Sequence, residues 1–132
     1  MFKKGFTLLE LMLVVIIVGI IATFAIPGYL GVRQRAEGRQ ASTQLRLIHT
    51  AEKLKHLEED LYTACAGFAA CNTALNLDLP DDGWTYGVVC TGGCANDFTA
   101  TAVNSAGTCK YEIRRNDSKP IVVAGFTCVY VP

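Results

Sequence analysis

Six cysteines, two histidines, a cluster of aspartates and one carboxylate set in an apolar run are the side chains of this 132-residue chain whose types and spacing bear on chemistry. All the cysteines (Cys65, Cys71, Cys90, Cys94, Cys109 and Cys128) follow Tyr62. An even number in so short a stretch reads as a disulfide framework, which a reducing cytosol does not maintain. Local closure pairs Cys65 with Cys71, Cys90 with Cys94, and Cys109 with Cys128. A bond from Cys65 or Cys71 to Cys90 or Cys94 is the alternative, because many connectivities are open to six cysteines. Cys90-Thr91-Gly92-Gly93-Cys94 has one residue too many for a redox dithiol and no helix start to lower a thiol pKa. Nor does it offer the paired ligands of a zinc site.

The other candidates read as structural. His49 and His56 lie seven apart on one helical face, with no cysteine or carboxylate spaced to complete a metal set. They are expected as solvated surface histidines. Asp78, Asp81 and Asp82 flank Pro80 and read as a hydrogen-bonded turn, since their spacing matches no EF-hand loop. The chain has no P-loop, nucleophile elbow, HExxH or Gly-rich dinucleotide turn. No catalytic residue, metal or cofactor is therefore expected, and the protein is read as not an enzyme. Twelve basic and twelve acidic residues balance to zero. That leaves no global field for nucleic acid, and the small group Lys110, Arg114, Arg115 and Lys119 reads as a solvated strand edge.

Glu10 is different. It is the only charged side chain from Gly5 to Val32. The run from Phe6 to about Leu30 exceeds the roughly 20 residues that cross a bilayer as a helix. A signal peptide cut near Ala22-Thr23-Phe24-Ala25 does not account for an acid at the start of the apolar stretch. A plain single-span anchor tolerates it only near the membrane edge, since an acid at a helix centre costs about 2.5–3.5 kcal/mol.

A third reading gives the acid a purpose. The segment Lys3-Lys4-Gly5-Phe6-Thr7-Leu8-Leu9-Glu10, followed by the apolar run and Pro27-Gly28-Tyr29, resembles the N-terminus of type IV pilins and of the related pseudopilins. The resemblance covers about residues 1–40 and implies several things. Residues 1–5 are a leader, and a prepilin peptidase cuts between Gly5 and Phe6 and methylates the new Phe6 amine. Glu10 then pairs with the N-terminal amine of a neighbouring copy. Residues 6–31 form the transmembrane and assembly helix, with a kink or local melting at Gly19 and Pro27. Residues 32–132 form the extracytoplasmic globular domain. The chain is expected in the inner membrane as a single-pass protein and in an extracellular pilus. Its partners are other copies of itself and related pilins, prepilin peptidase, the inner-membrane assembly platform and membrane lipid. The alternative is a pseudopilin of a type II secretion system. The resemblance also favours the Cys109–Cys128 pair, because many pilins carry a disulfide near the C-terminus. The count of Arg33, Arg35 and Arg39 against Lys3 and Lys4 favours the opposite orientation; the cysteines and the leader motif outweigh it.

The elements follow from pattern. One helix is expected from Phe6 to about Leu61, amphipathic after Val32. Ala41, Leu45 and Ile48 form its apolar stripe, and Leu47, Ala51, Leu54 and Leu61 a neighbouring one. Arg39, Gln40, Arg46, Glu52, Lys53, Lys55, Glu58 and Glu59 supply the polar face. Four strand-like runs follow, Trp84–Cys90, Phe98–Val103, Cys109–Arg115 and Ile121–Tyr130, separated by turn residues. A small antiparallel sheet needs one face covered, and the helix is the natural cover. The expected class is α+β.

Overall fold

The computed structural model describes residues 5–132; Lys3 and Lys4 of the expected leader lie outside the described residues. The chain divides into two compact units, residues 1–34 and 35–132. Helix α1, Leu8–Glu59, runs through the boundary. Its assignment is unbroken at Gly19 and Pro27.

After α1 come β1 (Cys65–Ala66), α2 (Phe68–Leu75), β2 (Trp84–Thr91), β3 (Asp97–Asn104), β4 (Lys110–Arg114) and β5 (Ile121–Val122). All pairings are antiparallel, and the sheet order is the chain order, β1-β2-β3-β4-β5. The class is α+β, as expected, but the sheet has five strands rather than four. The two-residue β1 is too short to show an alternation. The run expected as a strand from Ile121 to Tyr130 pairs only over Ile121–Val122. Beyond it the Phe126 N–H donates to the Val123 carbonyl, and Gly125 takes φ 88°, so the backbone turns out of the ladder. Helix α2 occupies an Ala-rich stretch and buries Cys71 and Leu75.

The core of residues 35–132 is built by period. From β2, Trp84, Tyr86 and Val88 point inward; from β3, Phe98, Ala100 and Ala102; from β4, Tyr111 and Ile113. This is the two-residue repeat of a sheet with one covered face. Along α1 the buried positions are Gly38, Ala41, Ser42, Leu45, Ile48, His49 and Glu52, the spacing of one helical stripe. Each large apolar side chain buried there contributes about 1.5–3 kcal/mol relative to exposure.

The stripe corrects three expectations. Leu47, Leu54 and Leu61 are exposed, so of the second apolar stripe Ala51 alone packs against the core. Glu52, expected on the polar face, has no exposed surface. His49, expected in solvent, is buried as well. Backbone groups from distant segments hold both. Glu52 Oε2 accepts the Thr63 N–H at 2.9 Å, anchoring the turn after α1. The His49 Nε2–H donates to the carbonyls of Arg114 (3.1 Å) and Arg115 (3.2 Å), where β4 ends.

Burial pushes the Glu52 carboxyl above its ordinary range, with the Thr63 N–H and Lys55 pulling it back. Burial lowers His49, partly offset by the carbonyls it bonds. The two act on stability with opposite sign. A raised Glu52 favours the folded state fully below its unfolded pKa, near 4.5, and that contribution is lost as pH rises through the folded value. A lowered His49 favours the folded state above its unfolded pKa, near 6.5, and that contribution is lost as pH falls through the folded value. Glu52→Gln removes the first and leaves the second. Its stability is therefore expected to fall more steeply than wild type from pH 7 to pH 5. Urea melts of both proteins at the two pH values check this; equal slopes would show that Glu52 does not titrate differently on folding.

Candidate assembly site

Gly5, Phe6 and Thr7 precede α1 as irregular chain. Gly5 and Phe6 are exposed, and among the described residues no atom other than those of its chain neighbours lies within 4 Å of where a Cβ on Gly5 would sit. Thr7 starts the helix: its Oγ1 accepts the Glu10 N–H at 3.2 Å, and its carbonyl accepts the Leu11 N–H at 3.2 Å. Thr7 is an N-cap, with Glu10 three residues on. The Thr-x-x-Glu pattern was visible in the sequence but went unused there. Glu10 thus sits in the first helical turn, where a carboxylate is favoured by the unsatisfied N–H groups and the helix dipole.

From Leu8 to Val32 every large apolar side chain described is exposed, at 46–81%. Exposure on all sides of a helix means that no described residue of its own unit covers the segment. Such a surface is stable only in lipid or against other apolar helices. Among the described residues, α1 is the one helix long and apolar enough to cross a membrane. Lower in the segment, Thr23 Oγ1 donates to the Gly19 carbonyl at 2.8 Å. Pro27 has no N–H to offer the Thr23 carbonyl, so the ladder lacks a bond at that turn. Both features soften a helix.

Three disulfides staple residues 35–132. Cys65–Cys71 ties β1 to α2, Cys90–Cys94 closes the β2–β3 connection, and Cys109–Cys128 ties the start of β4 to the C-terminal segment. No cysteine is free. The Cys90–Cys94 loop turns through Gly92 and Gly93, both at positive φ. Its Cys94 carbonyl accepts the Tyr62 N–H at 2.8 Å. His56 also closes this end, its Nε2–H donating to Ala95 O at 3.2 Å and its ring stacking on Tyr62 at 4.3 Å.

The turn before β2 is held by one of the three aspartates. Asp82 Oδ1 accepts the Trp84 N–H at 3.1 Å, and Oδ2 accepts the Tyr86 hydroxyl at 3.0 Å. Burial and the nearby Asp82 charge push the Tyr86 phenol well above its usual range. Asp78 and Asp81 point to solvent. Among the described residues, no group of three or more His, Cys, Asp or Glu side chains converges as a metal set.

The family model for the prokaryotic N-terminal methylation motif matches residues 1–26. The chain is 34% identical over 130 residues to the type IV major pilin protein PilA of Myxococcus xanthus, covering 96% of this chain and 48% of that protein. It is 39% identical over 114 residues to the type IV major fimbrial protein FimA of Dichelobacter nodosus, covering 84% of this chain and 66% of that protein. A 60-residue match at 40% identity to the type II secretion system core protein G of Vibrio cholerae covers 46% of this chain and 41% of that protein. The chain thus spans about half the length of the first relative and about two thirds of the second. No solved structure matches it.

Proposed function

Because the chain belongs to the type IV pilin and pseudopilin family, we propose that it is a structural subunit of a pilus-like filament. It is made with a leader, cut between Gly5 and Phe6, methylated on the Phe6 amine, and assembled through the apolar half of α1. One observation carries this reading: an entirely uncovered apolar helix bears a single acid in its first turn, just after an exposed glycine. In this reading Glu10 accepts the cationic amine of a neighbouring copy. An ammonium and a carboxylate each oppose entry into an apolar bundle, and pairing offsets the two desolvation costs only at the correct stagger. The Gly19–Pro27 stretch is the place where the helix bends or melts when packed.

The subunit sits in the inner membrane as a single span with residues 35–132 outside the cytoplasm, then passes into the filament. Three disulfides support an oxidising destination. Its partners are copies of itself and related pilins, the prepilin peptidase, the inner-membrane assembly platform and lipid, and its role is structural rather than enzymatic. The secretion pseudopilin is the second reading, supported by the match to core protein G. The matches to PilA of Myxococcus xanthus and to FimA run through far more of this chain than the match to core protein G, 96% and 84% against 46%, which favours a pilus subunit.

Intact mass and terminal peptide sequencing of the chain from native membranes or sheared fibres test the proposal. The expected product begins at N-methylated Phe6. A product beginning at Met1, or one cut near Ala25, overturns it.

A further inference from the structure

At two places residues 35–132 carry charged side chains of opposite sign that make no ion pair among the described residues. At one end of the unit, Lys53, His56 and Leu57 of α1, Tyr62, and Arg115 and Asn116 after β4 line a shallow groove. Its two cations, Lys53 and Arg115, find no acidic partner among the described residues, whereas His56 is engaged with Ala95 O and the Tyr62 ring. Arg114 beside it pairs with Glu112 at 3.0 Å, and Asp117 accepts the Arg114 N–H at 2.9 Å. Lys55, on the other flank of α1, pairs with Glu59 at 3.5 Å and donates to Ala74 O. Lys53 Nζ and the Arg115 guanidinium make no hydrogen bond or ion pair among the described residues. The second feature is the turn between α2 and β2. There Asp78 and Asp81 are exposed and make no ion pair among the described residues, flanking Pro80, while both Asp82 carboxylate oxygens are engaged within the turn.

The register places these features at opposite ends of the sheet. Trp84 pairs with Asn104, and the Gly83 carbonyl takes the Ser105 N–H, so the acidic turn lies at the Trp84 end. Arg114 pairs with Thr99, which pairs with Val89, so Arg115 lies at the Thr91 end. His56 and Tyr62 bond to the loop at that same end. One copy cannot bring its own turn into its own groove, whereas two copies stacked end to end can. A contact between two different patches repeats without closing on itself when its rotation does not complete a ring, and that is the symmetry of an open filament.

We propose that the Lys53–His56–Arg115 groove of one copy receives the Asp78–Asp81 turn of the next, with Pro80 against Leu57. The proposal rests on the filament reading and deepens it, adding a contact between globular units to the one made by the helices.

The test uses the full chain in its native filament system, with recovery in sheared fibres as the readout. Lys53→Glu with Arg115→Glu places acid against acid, and Asp78→Lys with Asp81→Lys places base against base. Each pair is expected to lower recovery about tenfold. All four reversals in one chain restore the complementarity and return recovery to within about threefold of wild type. N-terminal methylation at Phe6 and the three disulfides should be unchanged throughout. If a reversal melts the unit, the neutral variants Lys53→Gln with Arg115→Gln and Asp78→Asn with Asp81→Asn replace it, each with a loss of about threefold. Normal recovery of either pair alone, or a combined variant as depleted as its parents, overturns the contact and leaves the filament reading standing. Absence of the wild-type chain from fibres overturns that reading, and this contact with it.

Discussion

Glu10→Ala is expected to remove this chain from fibres while leaving its processing intact. The amine that Glu10 pairs with in the proposed filament stays charged after the substitution and has no other acid nearby, since no second charged residue lies between Gly5 and Val32. Removing one member of a buried ion pair costs about 3–5 kcal/mol, because the other is stranded in low dielectric. That corresponds to a loss of about a hundredfold or more in incorporation. The local role of Glu10, in the first turn behind the Thr7 cap, is worth only about 0.3–1 kcal/mol. The two roles therefore separate by size. Quantifying the chain in sheared fibres against total membrane, with the mature N-terminus confirmed by mass, decides between them. Normal incorporation of Glu10→Ala would reduce Glu10 to a helix-capping residue. Glu10→Asp keeps the charge with a shorter reach and should recover part of the loss.

Gly38→Ala carries the second large effect, and its sign runs against helix propensity. In an exposed helix the change stabilises by about 0.5–1 kcal/mol. Here a Cβ at position 38 would lie 2.8 Å from Tyr111 Oη and 2.9 Å from Tyr130 Cβ. Neither atom is free to retreat. The Tyr111 hydroxyl donates to the Tyr130 carbonyl at 2.7 Å, and Cys109–Cys128 holds the same segment two residues away. Arg39 lies over the Tyr130 ring at 5.6 Å. Overpacking of this kind typically costs 1–3 kcal/mol, about 4–8 °C of melting temperature for each kcal/mol in a unit of this size. Gly31→Ala is the control, because a Cβ there meets nothing within 4 Å. If thermal melts of the oxidised full-length protein show Gly38→Ala as stable as Gly31→Ala, the C-terminal segment does not pack on α1 as described.

The parts of this fold that were legible in sequence are those governed by local periodicity. Trp84, Tyr86 and Val88 are spaced by Thr85 and Gly87, and the strands β2, β3 and β4 fall within a residue of the runs bounded by Thr91-Gly92-Gly93 and Asn104-Ser105-Ala106-Gly107. Ala41, Leu45 and Ile48 were likewise readable as the docking stripe of α1. What the pattern missed depends on partners distant in the chain. Glu52 and His49 look like surface residues because polarity sends them outward, yet the groups that hold them belong to Thr63, Arg114 and Arg115. The run after Ile121 looks like a strand because it is apolar, but Gly125 and the bond at Cys128 redirect it. At the N-terminus Gly5, Phe6 and Glu10 stood out through motif and composition. Thr7 did not, although its spacing to Glu10 carries the cap.

The disulfide connectivity has a consequence for how the protein is made. Each cysteine is joined to its immediate neighbour in chain order: first with second, third with fourth, fifth with sixth. Of the patterns open to six cysteines, this is the one that oxidation on a first-come basis produces as a polypeptide emerges vectorially from a translocation channel. Each loop can seal before the next thiol arrives. On the proposed route out of the cytoplasm, native pairing then needs no reshuffling, and export and stapling proceed as a single directional event.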